Sequence, residues 1–258
     1  MDKIEGVKIY ILGTAGSGKT VLTHSLQIWM QDMGLEVATV NLDPGETNLP
    51  YSPEVDIRDW INLYDVMDHF GLGPNGAQIL CADELALKAD EVKRSLDEFD
   101  YDFVLVDTPG QMELFAYRES GRILIDALGS ENSILAFLLD PVMAKTPGGF
   151  VSLQMLSLSV QFRFSLPQVN IISKSDTLKE ETIEKIMEWN TEPESLYDEL
   201  ISEKGILKEM NLEFLRALEI IGMQGSMITV SSEEYSGMED IYNLAVQIFG
   251  GGEDLRGD

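Results

Sequence analysis

Eight consecutive residues, Gly13-Thr14-Ala15-Gly16-Ser17-Gly18-Lys19-Thr20, carry the spacing G-x-x-x-x-G-K-[ST]. In that spacing glycines let backbone N–H groups wrap phosphate oxygens, and the positive end of a following helix faces the same anion. Lys19 is expected to reach the β- and γ-phosphates of a nucleoside triphosphate, and the Thr20 hydroxyl to ligate Mg2+. The context supports this, because residues 7–12 read as a strand and residues 19–33 place Val21, Leu22, Leu26, Ile28 and Trp29 at helical spacing.

Three further strand ends carry chemistry. Asp107-Thr108-Pro109-Gly110-Gln111 follows the apolar run Val104-Leu105-Val106, which puts a carboxylate where Mg2+ must sit. Asp107 would hold the metal through a water, Gly110 would offer its N–H to the γ-phosphate, and Gln111 would orient an attacking water. Ser173-Lys174-Ser175-Asp176 closes another strand and approximates the [NT]-K-x-D element of guanine-specific sites, with Ser173 where Asn or Thr is usual. The Asp176 carboxylate can accept from guanine N1–H and N2–H2, a donor pair that adenine lacks, while the Lys174 stem covers the purine. Val230-Ser231-Ser232 reads as a second base-side loop. Asn41-Leu42-Asp43-Pro44 ends the second strand, where Asp43 could hold the nucleophilic water or the metal's shell.

These residues need a scaffold that gathers strand ends. Short β-branched runs alternate with longer amphipathic stretches, the signature of an α/β fold with a mainly parallel twisted sheet and flanking helices. Strands are predicted at 7–12, 36–42, 103–106, 134–139, 169–173 and 227–230. In open α/β sheets ligands bind at the carboxyl ends of the strands. One domain is expected over residues 1–250. It would carry a helical insertion at about 56–99, formed by two helices around Gly71-Leu72-Gly73-Pro74-Asn75-Gly76, and a helical segment at about 179–221 broken near Pro193, with an acidic flexible tail at 251–258.

The balance of 45 acidic against 18 basic residues, a net charge of -27, disfavours nucleic acid and anionic lipid as partners. The polar start and the short apolar runs predict neither targeting segment nor membrane span, hence a cytoplasmic protein. The single cysteine, Cys81, excludes an internal disulfide and reads as a packing residue. His24 and His69 lack partners at metal-ligand spacing and read as structural. The apolar stretch 150–164 reads as core or dimer contact.

With these motifs in order, the chain resembles the GPN-loop GTPases over nearly its whole length. The resemblance rests on Gly73-Pro74-Asn75 inside the insertion, with Asn41-Leu42-Asp43-Pro44, Pro50-Tyr51, Asp56-Ile57-Arg58-Asp59 and Asp107-Thr108-Pro109-Gly110-Gln111-Met112-Glu113. It implies a P-loop NTPase fold and Mg2+-dependent hydrolysis of GTP to GDP and phosphate by a homodimeric switch. Asn75 would reach the partner's nucleotide, and Asp43, Gln111 and Lys19 would be the other catalytic groups. Tyr51, Arg58 and Glu113 are second-tier candidates. Two other readings remain: a nucleotide-gated assembly chaperone acting on a protein client with slow hydrolysis, and an ATP-using P-loop kinase.

Overall fold

The computed structural model describes residues 6–202, 206–221 and 225–250; the expected tail at 251–258 lies outside the described residues. Strand β1 (Val7–Gly13) runs into the Gly-rich loop and helix α1 (Lys19–Asp32), which returns to β2 (Val37–Asn41). A two-residue strand β3 (Val55–Asp56) and a 3-10 turn lead into α2 (Leu63–Phe70), α3 (Pro74–Leu87) and α4 (Ala89–Leu96). Then come β4 (Phe103–Asp107), α5 (Met112–Ala116), α6 (Glu119–Leu128), β5 (Ser133–Leu139), α7 (Pro141–Ala144) and α8 (Pro147–Phe164). The described chain ends with β6 (Gln168–Ile172), α9 (Glu180–Thr191), α10 (Pro193–Ser202), α11 (Ile206–Ile221), β7 (Met227–Thr229) and α12 (Met238–Phe249).

The seven strands form one sheet in the order β3-β2-β4-β1-β5-β6-β7, and every pairing is parallel. The central strands are buried on both faces, as their near-continuous apolar sequences require. Side chains alternate between two cores. Ile9, Ile11, Leu105 and Ala136 pack against Leu22, Leu26 and Met30 of α1 and Met238, Ile241 and Ala245 of α12. Tyr10, Leu12, Val104, Val106 and Phe137 face the larger core built with the remaining helices. From β1 the chain crosses to β2 on one side, and from β4 it crosses to β5 on the other, so a crevice opens at the carboxyl ends of β1 and β4.

The insertion differs from expectation: it holds three helices rather than two. Gly71 caps α2 with a φ of 63° and Pro74 opens α3, so the predicted break is real. A second break falls at Lys88, which has no glycine or proline to announce it. Helix α4 turns there so that Val92 and Leu96 reach the core. Among the described residues no helix is long and apolar enough to cross a membrane.

Candidate nucleotide site

Backbone shape dictates the residue types of the Gly-rich loop. A Cβ on Gly13 would lie 2.6 Å from Ser17 Oγ and 2.9 Å from Leu138 O, so no side chain fits there. Gly18 caps α1 at a φ of 94°, leaving the first-turn N–H groups without a side-chain cap. That turn also has no acidic residue, the arrangement that suits an external anion. Lys19 is buried and its Nζ donates to Gly13 O at 3.1 Å, Thr14 O at 3.3 Å and Gly110 O at 3.0 Å. Burial lowers its pKa, opposed by the charges of Asp107 and Asp43. The lysine therefore joins the loop after β1 to the loop after β4.

Asp107 ends β4 beside Ile11 of β1, and the Thr108 hydroxyl donates to Ile11 O at 2.7 Å, fixing the start of that loop. The carboxylate is 1% exposed. Its Oδ2 accepts from the Tyr51 hydroxyl at 2.9 Å, whereas Oδ1 is buried with no protein donor. Burial pushes its pKa up to about 6 against the opposing pull of the Thr20 and Tyr51 hydroxyls and of Lys19. Burial and the Asp107 charge also raise the Tyr51 pKa, which keeps its hydroxyl a donor.

This donor set suits Mg2+. Among the described residues no group of three His, Cys, Asp or Glu could cage a metal. A hard cation held by one carboxylate, one hydroxyl, waters and nucleotide phosphates needs no such cage. The orphaned Oδ1 of Asp107, through a water, and the nearby Thr20 hydroxyl are the protein groups that could serve such a cation. A buried anion without donors on one oxygen is costly unless a cation or water meets it.

Asp43 sits differently from the simplest expectation. Its Oδ2 accepts from Gly110 N at 2.7 Å and its Oδ1 from Gly45 N at 2.9 Å. The Gly110 N–H, expected to face the γ-phosphate, is thus held by the Asp43 carboxylate, because Asp43 projects directly across the crevice from β2. Gln111 is exposed at the start of α5. Asp43, Gln111, Ala15 and Gln78 line a cavity of about 260 Å³. Sequence reasoning missed Gln78, which stands one turn into α3 after Asn75 with its Oε1 buried and unpartnered. Its only signal is the spacing from Asn75. Asn75 itself is exposed at the start of α3, and no described hydrogen bond joins it to Lys19, Asp43 or Gln111. Glu113 is exposed on the first turn of α5, and its charge adds a small part to the pull that opposes the burial-lowered pKa of Lys19.

A second cavity of about 240 Å³ lies on the far side of the Gly-rich loop, lined by Ser17, Gly18, Val21, Lys174, Asp176 and Ser232 among others. Ser173 is buried and donates to Leu139 O at 3.3 Å, so its hydroxyl braces the loop despite being shorter than Asn. Lys174, at a φ of 52°, crosses to Gly16 O at 2.7 Å, and its Cε would be 3.4 Å from a Cβ on Gly18. The buried Ser231 donates to Asp176 Oδ1 at 2.7 Å and orients that carboxylate. The Gly-rich loop, Asp107 and the loops of Asp176 and Ser231 are therefore neighbours along the carboxyl ends of β1, β4, β6 and β7. His24 lies beside Tyr51, with ring centroids 6.5 Å apart, next to the site.

Residues 11–251 match the sequence profile of a family described as a conserved hypothetical ATP binding protein. A GPN-loop GTPase of the archaeon Pyrococcus abyssi is 30% identical over 93% of this chain and 96% of its own length. The chain belongs to the GPN-loop GTPase family. A crystal structure of a Pyrococcus abyssi GTPase in apo form superposes with a TM-score of 0.85 at 29% identity, covering 94% of this chain and 97% of that one. GPN-loop GTPase 1 of Dictyostelium discoideum is 29% identical over 92% of this chain, which spans only 60% of that relative. The fold is that of P-loop NTPases. The profile's wording and the relatives' names differ on the nucleotide.

Proposed function

We propose that this chain binds GTP with Mg2+ and hydrolyses it to GDP and phosphate as a homodimer. The observation that carries the proposal is the single edge on which Lys19, the half-satisfied Asp107, the Asp43–Gln111 cavity and the Ser231-oriented Asp176 stand side by side.

The phosphates would lie in the cradle of residues 13–20, with the Lys19 ammonium leaving its three carbonyls for β- and γ-oxygens. Mg2+, held by Thr20 and Asp107, would neutralise charge developing on the phosphates. Asp43 already binds two backbone N–H groups and so sits as a fixed anion beside Gln111. Between them they would hold a water in line with the γ-phosphate, the carboxylate accepting one of its protons in a hydrogen bond and the carboxamide fixing its lone pair. Admission of a γ-phosphate would compete with Asp43 for the Gly110 N–H. That competition links nucleotide state to the segment between β2 and β3, as a molecular switch requires. Asn75 of a second copy would complete the phosphate side, since within its own chain it stands clear of the catalytic groups.

The assembly-chaperone reading shares this chemistry and adds a protein client, with hydrolysis resetting the helical insertion. The kinase reading is weakened by the water-holding pair and the guanine-type loop. A cytoplasmic location accords with the single cysteine and the acidic composition.

Calorimetry with GTP, ATP and XTP, with and without Mg2+, tests the reading alongside phosphate release from Gln111→Ala and Asp43→Ala. Preference for GTP, Mg2+ dependence and loss of turnover in both variants are expected. Equal affinity for ATP, or unchanged turnover in both variants, would sink it.

A further inference from the structure

The Tyr51–Asp107 hydrogen bond spans 56 positions in sequence and joins two segments with different jobs. Tyr51 is carried by the segment between β2 and β3. It is buried, its ring packs beside His24, and its hydroxyl reaches the one carboxylate that ends β4. His24 follows Thr20 by one helical turn, so α1 presents both on one face, Thr20 toward Asp107 and His24 against the tyrosine ring.

The base of the same segment is wired. The Asn41 side chain accepts from Asp43 N at 3.1 Å and donates to Asp56 Oδ1 at 3.0 Å. Arg58 grips both oxygens of Asp56 and also donates to Glu46 O at 2.8 Å. The segment is closed at its base by Asn41, Asp56 and Arg58, and it is tied at its tip to Asp107 by one hydroxyl.

We propose that Tyr51 is a positioning residue for the metal site, and that its hydroxyl couples occupancy of that site to the conformation of the β2–β3 segment. The proposal rests on the reading of Asp107 as the Mg2+ carboxylate. A carboxylate has two equivalent oxygens, and which of them faces a ligand is set by the donors that engage it. Tyr51 engages Oδ2 and leaves Oδ1 as the free ligand position. Without the Tyr51 hydroxyl, Asp107 keeps only the pull of the Thr20 hydroxyl from α1, loses one of its two neutral partners, and is no longer tied to the β2–β3 segment. The coupling is reciprocal: whatever binds at Oδ1 favours the arrangement in which Tyr51 is docked, and a docked Tyr51 favours that binding. Arg58 acts further back by holding the segment in the shape that delivers Tyr51.

The test titrates Mg2+ against binding of a fluorescent GDP analogue to wild type, Tyr51→Phe, Arg58→Met and Asp107→Asn. Hydrogen exchange of residues 44–54 is followed with GDP, with and without Mg2+. Losing an outer partner of a metal ligand typically costs about 10–100-fold in metal affinity. Tyr51→Phe, which keeps the ring in its slot, is expected to raise the half-saturating Mg2+ concentration by about tenfold or more. Its nucleotide affinity in EDTA is expected to stay within about twofold of wild type, and the Mg2+-dependent protection of 44–54 should disappear. Arg58→Met should lose protection in the same segment with a smaller shift in Mg2+. An unshifted Mg2+ titration in Tyr51→Phe, or Mg2+ protection that survives in it, overturns the proposal. If wild type itself binds the GDP analogue equally well with and without Mg2+, both this proposal and the reading of Asp107 fall. If wild type and Asp107→Asn differ while Tyr51→Phe behaves as wild type, only this proposal falls.

Discussion

A carboxylate discriminates guanine only if it is already turned toward the base, because two aligned hydrogen bonds are worth far more than two that must be bought by reorganisation. The Ser231 hydroxyl fixes one oxygen of Asp176 on the wall of the second cavity, and Lys174 ties the same loop to Gly16. Each hydrogen bond to a charged partner contributes about 1.5–3 kcal/mol, so Asp176→Asn should weaken GTP about 100-fold or more in calorimetry. XTP, which offers a carbonyl where guanine has its amino group, should bind the variant better than GTP does. An unchanged GTP affinity would contradict the base assignment. The sequence singles out these residues because their types and spacing are local to two strand ends, those of β6 and β7. It could not disclose that Tyr51 engages Asp107 or that Gln78 joins the Asp43–Gln111 cavity, since those pairings arise only when separate strands and helices meet. Cys81 is a contrasting case. Read as a packing residue, it is fully buried, and burial pushes its pKa up to about 11 from 9.0. Iodoacetamide at pH 8 should therefore label it only as the chain unfolds. The sign follows: the unfolded thiol ionises first, so its contribution to stability is complete below pH 9 and is lost as pH rises toward 11. Rapid labelling of the native protein would show that the thiol is accessible.

At the scale of elements, a glycine inside a helix normally invites stabilisation, since alanine is better there by about 1 kcal/mol. Gly121 in α6 reverses that expectation. A Cβ at this position would lie 2.1 Å from the backbone oxygen of Phe115, where α6 crosses α5. A backbone carbonyl cannot swing aside as a flexible side chain can, so the helix itself must move, at a cost of about 1–3 kcal/mol that outweighs the propensity gain. Gly121→Ala should thus lower the urea midpoint, and because α5 begins directly after Gln111 it should also slow phosphate release. A higher midpoint would mean that the two helices slide apart freely. This close approach was invisible in the sequence, where Gly121 looks like any helical glycine. The three-helix form of the insertion was hidden for a related reason: the break at Lys88 comes from packing of Val92 and Leu96, whereas the break at Gly71 to Pro74 is written in residue types. The strand β3 escaped prediction because two residues, Val55 and Asp56, are too few to display a period.

At the scale of the whole molecule, two chains of net charge -27 must approach each other if Asn75 is to reach a partner's phosphates. Their mutual repulsion is screened over about 8 Å at physiological salt and about 3 Å at 1 M. Dimerisation followed by ultracentrifugation should therefore tighten as salt rises, the opposite of the response of a nucleic-acid binder. Complementation tests the catalytic part of the proposal more sharply. Asn75→Ala keeps an intact pocket but offers its partner no asparagine, whereas Lys19→Ala offers the asparagine but has a crippled pocket. Each alone should be nearly inactive. In a random equal mixture of exchanging dimers, half the dimers pair unlike chains and one of the two sites in each is complete, so about a quarter of wild-type activity per site should return. The recovered activity should fall on dilution, because it exists only in the dimer. A mixture no more active than its two components would show that Asn75 does not act across the interface, and would return the catalytic set to Lys19, Asp43 and Gln111 within a single chain.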